Sequence, residues 1–243
     1  MTGPRGDIPL MIVREDCCYF CFPSFRYAGP GTQTVSSKWA VTWDSYLASQ
    51  RNFITANIDV RGTGFQGDTF KHTVYEQLGK LEAADTLDVI KQLTEKFKFI
   101  DKEKICVWGW SYGGYVAGMI MAEVGLEQSG EISCGISVSP VTQWHHYDTA
   151  YTERFMGLPA QQHNWRGYVL SSLVQVAHNI PDGGRFMLIH GTQDDNVHIQ
   201  HSMQLSRELV ENDIVFRQQV TPDSQSRHNP EEFITYISRI NPY

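Results

Sequence analysis

The chain has 243 residues, 41% of them hydrophobic, and a formal net charge of −7. It is long enough to bury a large core, and without a basic run or a basic stripe interleaved with aromatics it lacks the electrostatic footprint of a nucleic-acid binder. No segment approaches the ~20 apolar residues of a membrane helix, and the opening MTGPRGDIPLMIV has too short an apolar run, with no small-residue cleavage site, to read as a signal peptide.

In chain order, the first feature is a cluster of Cys17, Cys18 and Cys21. A zinc site would need a second ligand pair at matching spacing, and none follows, so these read as small residues on a buried strand. Phe53–Ile58 predicts a short apolar strand, followed by a glycine-rich loop at Arg61–Gly67. Glu82–Phe97 predicts a helix, because Ala83, Leu87, Ile90, Leu93 and Phe97 recur at spacings of three and four. Lys104–Trp108 reads as a strand, Gly113–Val124 as a helix rich in alanine and methionine, and Ile132–Val138 as another strand. Between Thr142 and Ala177 the alternation lapses in a stretch rich in His, Tyr and Trp. A long excursion after a strand's carboxyl end is a usual place for a substrate pocket in an α/β protein. Phe186–His190 and Ile214–Val220 predict strands, and Gln200–Asn212 and Pro230–Ile240 helices. Such alternation predicts an α/β fold, a mostly parallel sheet with helices on both faces.

Within this pattern, Gly109-Trp110-Ser111-Tyr112-Gly113 follows an apolar strand and opens a helix. That is the context a nucleophile elbow requires: the turn lifts a serine hydroxyl above the sheet, and the Tyr112 N–H at the helix start can stabilise an oxyanion. A serine hydroxyl needs a base, and the base needs a carboxylate to fix its tautomer. In α/β-hydrolases these follow in the order Ser, acid, His. After Ser111 come FMLIHGTQDDNVH, a strand and then a turn with Asp194 and Asp195, and VFRQQVTPDSQSRHNP, a strand and then a loop with His228. Of nine histidines, His228 alone follows the last predicted strand. His190, which ends a strand, reads as structural, and His198 and His201 as supporting or solvated residues.

The elbow with its following glycine, the HGTQDDNVH motif and YTERFMGLP at Tyr151–Pro159 together resemble the catalytic domain of the dipeptidyl peptidase IV type, in the prolyl oligopeptidase family of serine peptidases. The likeness runs from about Tyr27 to Ile240 and divides the chain into a divergent segment, 1–26, and an α/β-hydrolase domain, 27–243. The resemblance implies Ser111 as nucleophile, Asp194 as orienting acid and His228 as general base. It also implies that the Tyr27 hydroxyl in YAGP joins the Tyr112 N–H as an oxyanion donor. It implies a small aromatic box for proline or alanine, lined by Tyr112, Val141, Trp144, Tyr147, Tyr151 and Val197. Asn196 matches an asparagine that binds a substrate carbonyl, and Arg154 lies near the same pocket. The chemistry it implies is removal of N-terminal dipeptides through an acyl-enzyme, with no metal or organic cofactor. Dimerisation partly through the last helices, and a membrane-anchored or secreted location in relatives, are implied as well.

The sequence departs from that family in three respects. Dipeptidyl peptidases of this kind carry a β-propeller whose glutamates bind the substrate's free amine, and these residues hold no counterpart. REDCCYFCFPSFR stands where an apolar strand should lead into YAGP, which predicts early strands missing or replaced, and a fragment, a truncated isoform or a mistranslated start. The cysteine matching Cys134 pairs in the family with one near the C-terminus, and the ending RINPY offers no such partner. Two rival readings follow: a catalytically silent remnant used for binding or dimerisation, and a generic esterase on the same triad.

Overall fold

In the computed structural model, residues 10–13, 20–25, 29–51, 53–127 and 132–222 are described. Strands β1 (Leu10–Val13) and β2 (Phe20–Phe25) come first, then helix α1 (Trp43–Arg51), β3 (Phe53–Ile58), α2 (Asp68–His72) and α3 (Lys80–Lys96). They are followed by β4 (Cys106–Trp110), α4 (Tyr112–Glu127), β5 (Cys134–Val138), and the short helices α5 (Thr149–Met156), α6 (Trp165–Leu170) and α7 (Leu173–Val176). β6 (Phe186–Gly191), α8 (Gln200–Glu211) and β7 (Arg217–Thr221) complete the described elements. The predicted helix at Pro230–Ile240 lies outside the described residues, as do Cys17 and Cys18.

The strands form one sheet in the order β1-β3-β2-β4-β5-β6-β7. β1 is antiparallel to β3, and every other pairing is parallel. The N-terminal segment thus supplies two strands of the sheet, β1 at one end of the order and β2 between β3 and β4. β2 sits between β3 and β4, although its register with β4 spans only Ser24↔Trp108 and Phe25↔Gly109. It carries Pro23 opposite Ala56, where a proline cannot donate to the ladder.

Both faces of the sheet are covered, as parallel strands demand. On one face Trp43 and Leu47 of α1 pack on Cys106 and Trp108. On the other, Val107 joins the main core with Leu87, Ile90 and Leu93 of α3 and Val116 and Ile120 of α4. The α4 sequence, YGGYVAGMIMAEVGLE, carries no polar stripe because it is buried almost all round against β4, β5 and α3. No helix among the described residues is long and apolar enough to cross a membrane.

Cys134, expected to lack the family's partner near the C-terminus, is paired in a different way: it lies directly opposite Cys106 in the β4–β5 register, Cα atoms 4.6 Å apart, and the two are joined by a disulfide.

The 61–67 loop is braced rather than loose. Arg61 donates from Nε and Nη2 to the fully buried Asp85 of α3, at 2.7 and 2.6 Å. Gly31 N donates to Gly62 O, and Gly64 N to Thr32 O, both at 2.8 Å. Asp59, at the end of β3, accepts from Thr34 N, Thr34 Oγ1 and Val35 N. These bonds pin the strap of chain that follows Tyr27.

Candidate active site

Ser111 stands between the last residue of β4 and the first of α4, with φ of 57°. This left-handed conformation is one a non-glycine residue adopts only when its surroundings over-determine it. The surroundings are visible: Ser111 N donates to Val138 O of β5 at 2.8 Å, and Tyr115 N of α4 donates to Ser111 O at 3.0 Å. The close approach of helix to strand is made at Gly114. A Cβ there would lie 2.7 Å from Val138 O and 3.1 Å from Gly109 O, both backbone atoms that cannot yield cheaply. Gly114→Ala is therefore expected to cost about 1–3 kcal/mol through overpacking, read as a lowered denaturant midpoint. Tyr112 is the first residue of α4, so its N–H belongs to the helix-start donors that no turn of the helix satisfies.

β4, β5 and β6 run parallel, so Ser111 and the turn after β6 share one edge of the sheet. In that turn Asp194 is buried and Asp195 exposed. Asp194 Oδ1 accepts from Asn196 N and Val197 N, both at 3.0 Å. His190 lies beneath: Nε2 is 2.7 Å from Val197 O and 3.5 Å from Asp194 Oδ2, and Nδ1 is 2.6 Å from Ser202 Oγ. Its place is structural, as expected from its position at a strand end. β7 lies beside β6 in parallel, with Thr221 opposite Gly191, so the chain leaves β7 on the edge that holds Asp194. His228 follows a few residues later and lies outside the described residues, as does Tyr27.

The predicted pocket residues come together from separate elements. Tyr112 (2% exposed) and Trp144 (1%) are packed with Val141 and Val197 in the main core, with Tyr147 and Tyr151 against them. The Tyr112 and Trp144 ring centroids are 5.7 Å apart, Trp144 and Tyr151 stack at 6.2 Å, and Tyr147 meets Tyr151 edge-on at 5.5 Å. Such offset and edge-on pairings suit the aromatic quadrupole. Tyr147 donates from its hydroxyl to Asn196 Oδ1 at 3.1 Å, which leaves the asparagine amide nitrogen to donate elsewhere. Arg154 is exposed in the last turn of α5, one turn beyond Tyr151.

His201 is buried, not solvated. Thr142 N donates to its Nδ1 at 3.1 Å, and burial lowers its pKa to about 4, so it is neutral near pH 7. His198 is exposed.

Glu82 gave no sequence signal beyond a place in a helix. It is fully buried, accepts from Tyr112 Oη through Oε1 at 2.5 Å, and accepts from Gly79 N through Oε2 at 2.9 Å. Desolvation raises its pKa to about 7, against the hydrogen bonds from Tyr112 and Gly79 that lower it. The unfolded chain would release this proton near pH ~4.3, so the stability Glu82 contributes is complete below that value and is lost as the pH rises through about 7. Burial, with Glu82 close by, pushes the Tyr112 phenol well above its ordinary pKa.

The parallel sheet and the serine elbow at the head of α4 define an α/β-hydrolase. The Prolyl oligopeptidase family matches residues 39–232, and the chain belongs to that family. Dipeptidyl peptidase 4 of Sus scrofa is 44% identical over 191 residues, covering 79% of this chain and 24% of the relative. Prolyl endopeptidase FAP of Mus musculus is also 44% identical over the same shares, and Venom dipeptidyl peptidase 4 of Apis mellifera is 41% identical over 81% of this chain and 25% of its own. The crystal structure of Porphyromonas gingivalis dipeptidyl peptidase 4 matches with a TM-score of 0.84 and 32% identity, over 95% of this chain and 32% of that one. The chain thus spans about a quarter of the length of the curated relatives it matches.

Proposed function

We propose that the chain carries the catalytic machinery of a serine peptidase that cleaves after proline or alanine near a peptide N-terminus. The observation that carries this reading is Ser111 in a left-handed elbow at the head of α4, on the same sheet edge as the buried Asp194. Kinship with relatives named dipeptidyl peptidases and prolyl endopeptidases supports it. Asp194 is favoured over Asp195 on physical grounds as well as by resemblance, since only the buried carboxylate is held by two backbone donors.

In this reading His228 takes the Ser111 proton as the hydroxyl oxygen bonds to the scissile carbonyl carbon. The oxyanion is held by the Tyr112 N–H and the Tyr27 hydroxyl. His228 then protonates the leaving amine as the C–N bond breaks, and water, deprotonated by His228, attacks the acyl-enzyme and frees Ser111. The pyrrolidine ring, which has no N–H to satisfy, packs against Tyr112, Trp144 and Tyr151, with Tyr147, Val141 and Val197 closing the box. Tyr147 orients Asn196 to donate to the carbonyl of the preceding residue, and Arg154 borders the same site.

The test is intact-mass detection of fluorophosphonate labelling on the purified chain, with Ser111→Ala as control. One phosphonyl adduct on the wild type and none on the variant is the expected result. A folded chain that fails to label overturns the reading. A Gly-Pro anilide with a free amine, the capped anilide and a simple ester then separate a dipeptidyl peptidase from an endopeptidase and an esterase.

A further inference from the structure

The pocket rings rest on a buried acid that the mechanism leaves unused. Glu82 enters from α3, while Tyr112 belongs to α4. Its two oxygens are committed differently, Oε2 to the backbone of Gly79 at its own helix start and Oε1 to the hydroxyl of Tyr112 across the helix–helix contact. A helix cap alone does not call for a carboxylate here, because glutamine at this position of a capping box serves equally well. A buried negative charge is costly unless its hydrogen bonds are complete. The second acceptor, aimed at Tyr112, is what an amide could not supply together with the cap.

We propose that Glu82 is a positioning residue for substrate specificity: its carboxylate holds the Tyr112 ring as the floor of the aromatic box, and loss of that acceptor weakens the box for a five-membered ring. This rests on the peptidase reading of the pocket. The geometry gives the carboxyl only accepting contacts, so a proton on either oxygen must displace one of them. A proton on Oε2 opposes the Gly79 N–H. A proton on Oε1 points at the Tyr112 oxygen and leaves the phenolic hydrogen to find another acceptor. Protonation therefore reverses or weakens one of the two contacts.

The titratable groups around Glu82 are Tyr112 and Tyr115 from α4, Asp85 from its own helix, Arg61 from the loop after β3, and Tyr151 from α5 beyond Tyr112. Arg61 is already engaged by Asp85, and Tyr115 donates to Leu78 O and Ser171 O. The carboxyl of Glu82 is raised to about 7 chiefly by burial, so it changes charge near neutrality.

The experiment measures binding of N-acetylpyrrolidine, which is uncharged throughout, to the whole chain at pH ~5.5 and ~8.5 by ligand-observed NMR, for the wild type, Glu82→Gln and Tyr112→Phe. In the wild type the Kd is expected to be about tenfold weaker at the lower pH, the worth of one hydrogen bond to a charged group. In Glu82→Gln it should stay near the weaker value at both. Tyr112→Phe, which keeps the ring and the cap, should also be flat, and it carries the test if Glu82→Gln does not fold. A wild-type Kd that does not change with pH, or a variant that keeps the wild-type dependence, overturns the proposal. Absence of binding in a chain whose Ser111 still labels overturns this proposal alone. Absence of both overturns the peptidase reading with it.

Discussion

Asp194→Asn is expected to lower kcat for a Gly-Pro anilide by about 10⁴-fold while leaving KM and the unfolding midpoint nearly unchanged. The amide oxygen can still accept from Asn196 N and Val197 N, so the turn after β6 keeps its shape. The other atom of the group changes from acceptor to donor. On the proposed triad His228 must then present a lone pair to it, which places the imidazole hydrogen on the nitrogen that should take the Ser111 proton. The paired variant Asp195→Asn, on an exposed side chain, is expected to retain activity. Steady-state kinetics on both variants decide the matter, and a loss of less than tenfold at Asp194 removes it from the triad.

Arg61→Leu is expected to destabilise the fold by about 3–5 kcal/mol, measured by denaturant unfolding. The Asp85 side chain is fully buried and accepts from the guanidinium at two positions, and Arg61 N approaches it as well at 3.3 Å. Removing the cation leaves a carboxylate in the interior with its main partner gone. Replacing both residues by leucine should recover much of the loss, because breaking a buried pair costs more than lacking one. Serine labelling should slow in Arg61→Leu, since the 61–67 loop holds the strap after Tyr27 through Gly62 and Gly64.

The parts of this fold legible in the sequence are those where a local pattern and the tertiary structure agree. Phe53–Ile58 is a strand over the bounds its apolar run predicts. α4 begins at Tyr112 because the elbow turn fixes where a helix can start. β4 starts at Cys106, later than the predicted Lys104, because Lys102–Lys104 is drawn into a short helical turn whose Asp101 side chain accepts from Glu103 N. β7 likewise begins at Arg217 and not Ile214, since Val215 N is spent on Asp182 and Ile214 N on Leu209 O. The helices inside 142–177 escaped because each is too short for a period to show. They are fixed by caps at Asp148, Asn164 and Ser172, a signal that becomes visible once capping residues are sought. In the site, the sharp turn at Ser111 and the grouping of Tyr112, Trp144, Tyr147 and Tyr151 were expected from motif and resemblance, while the roles assigned to them remain part of the proposal. Glu82 was not expected, because a glutamate in the first turn of a helix ordinarily faces water, and only the packing of α3 on α4 turns this one inward.

The Cys106–Cys134 bond has a topological consequence. It joins points 28 residues apart and so closes a covalent loop that contains the elbow, Ser111 and the whole of α4. Chain-entropy reasoning values such a closure at about 3–4 kcal/mol, drawn from the unfolded state. A peptide bond hydrolysed anywhere within that loop adds a water to the molecule without dividing it. Ser111 and the strand it rises from would remain tethered to the rest of the sheet from both sides, and two fragments would separate only when a reductant opened the sulfur bridge.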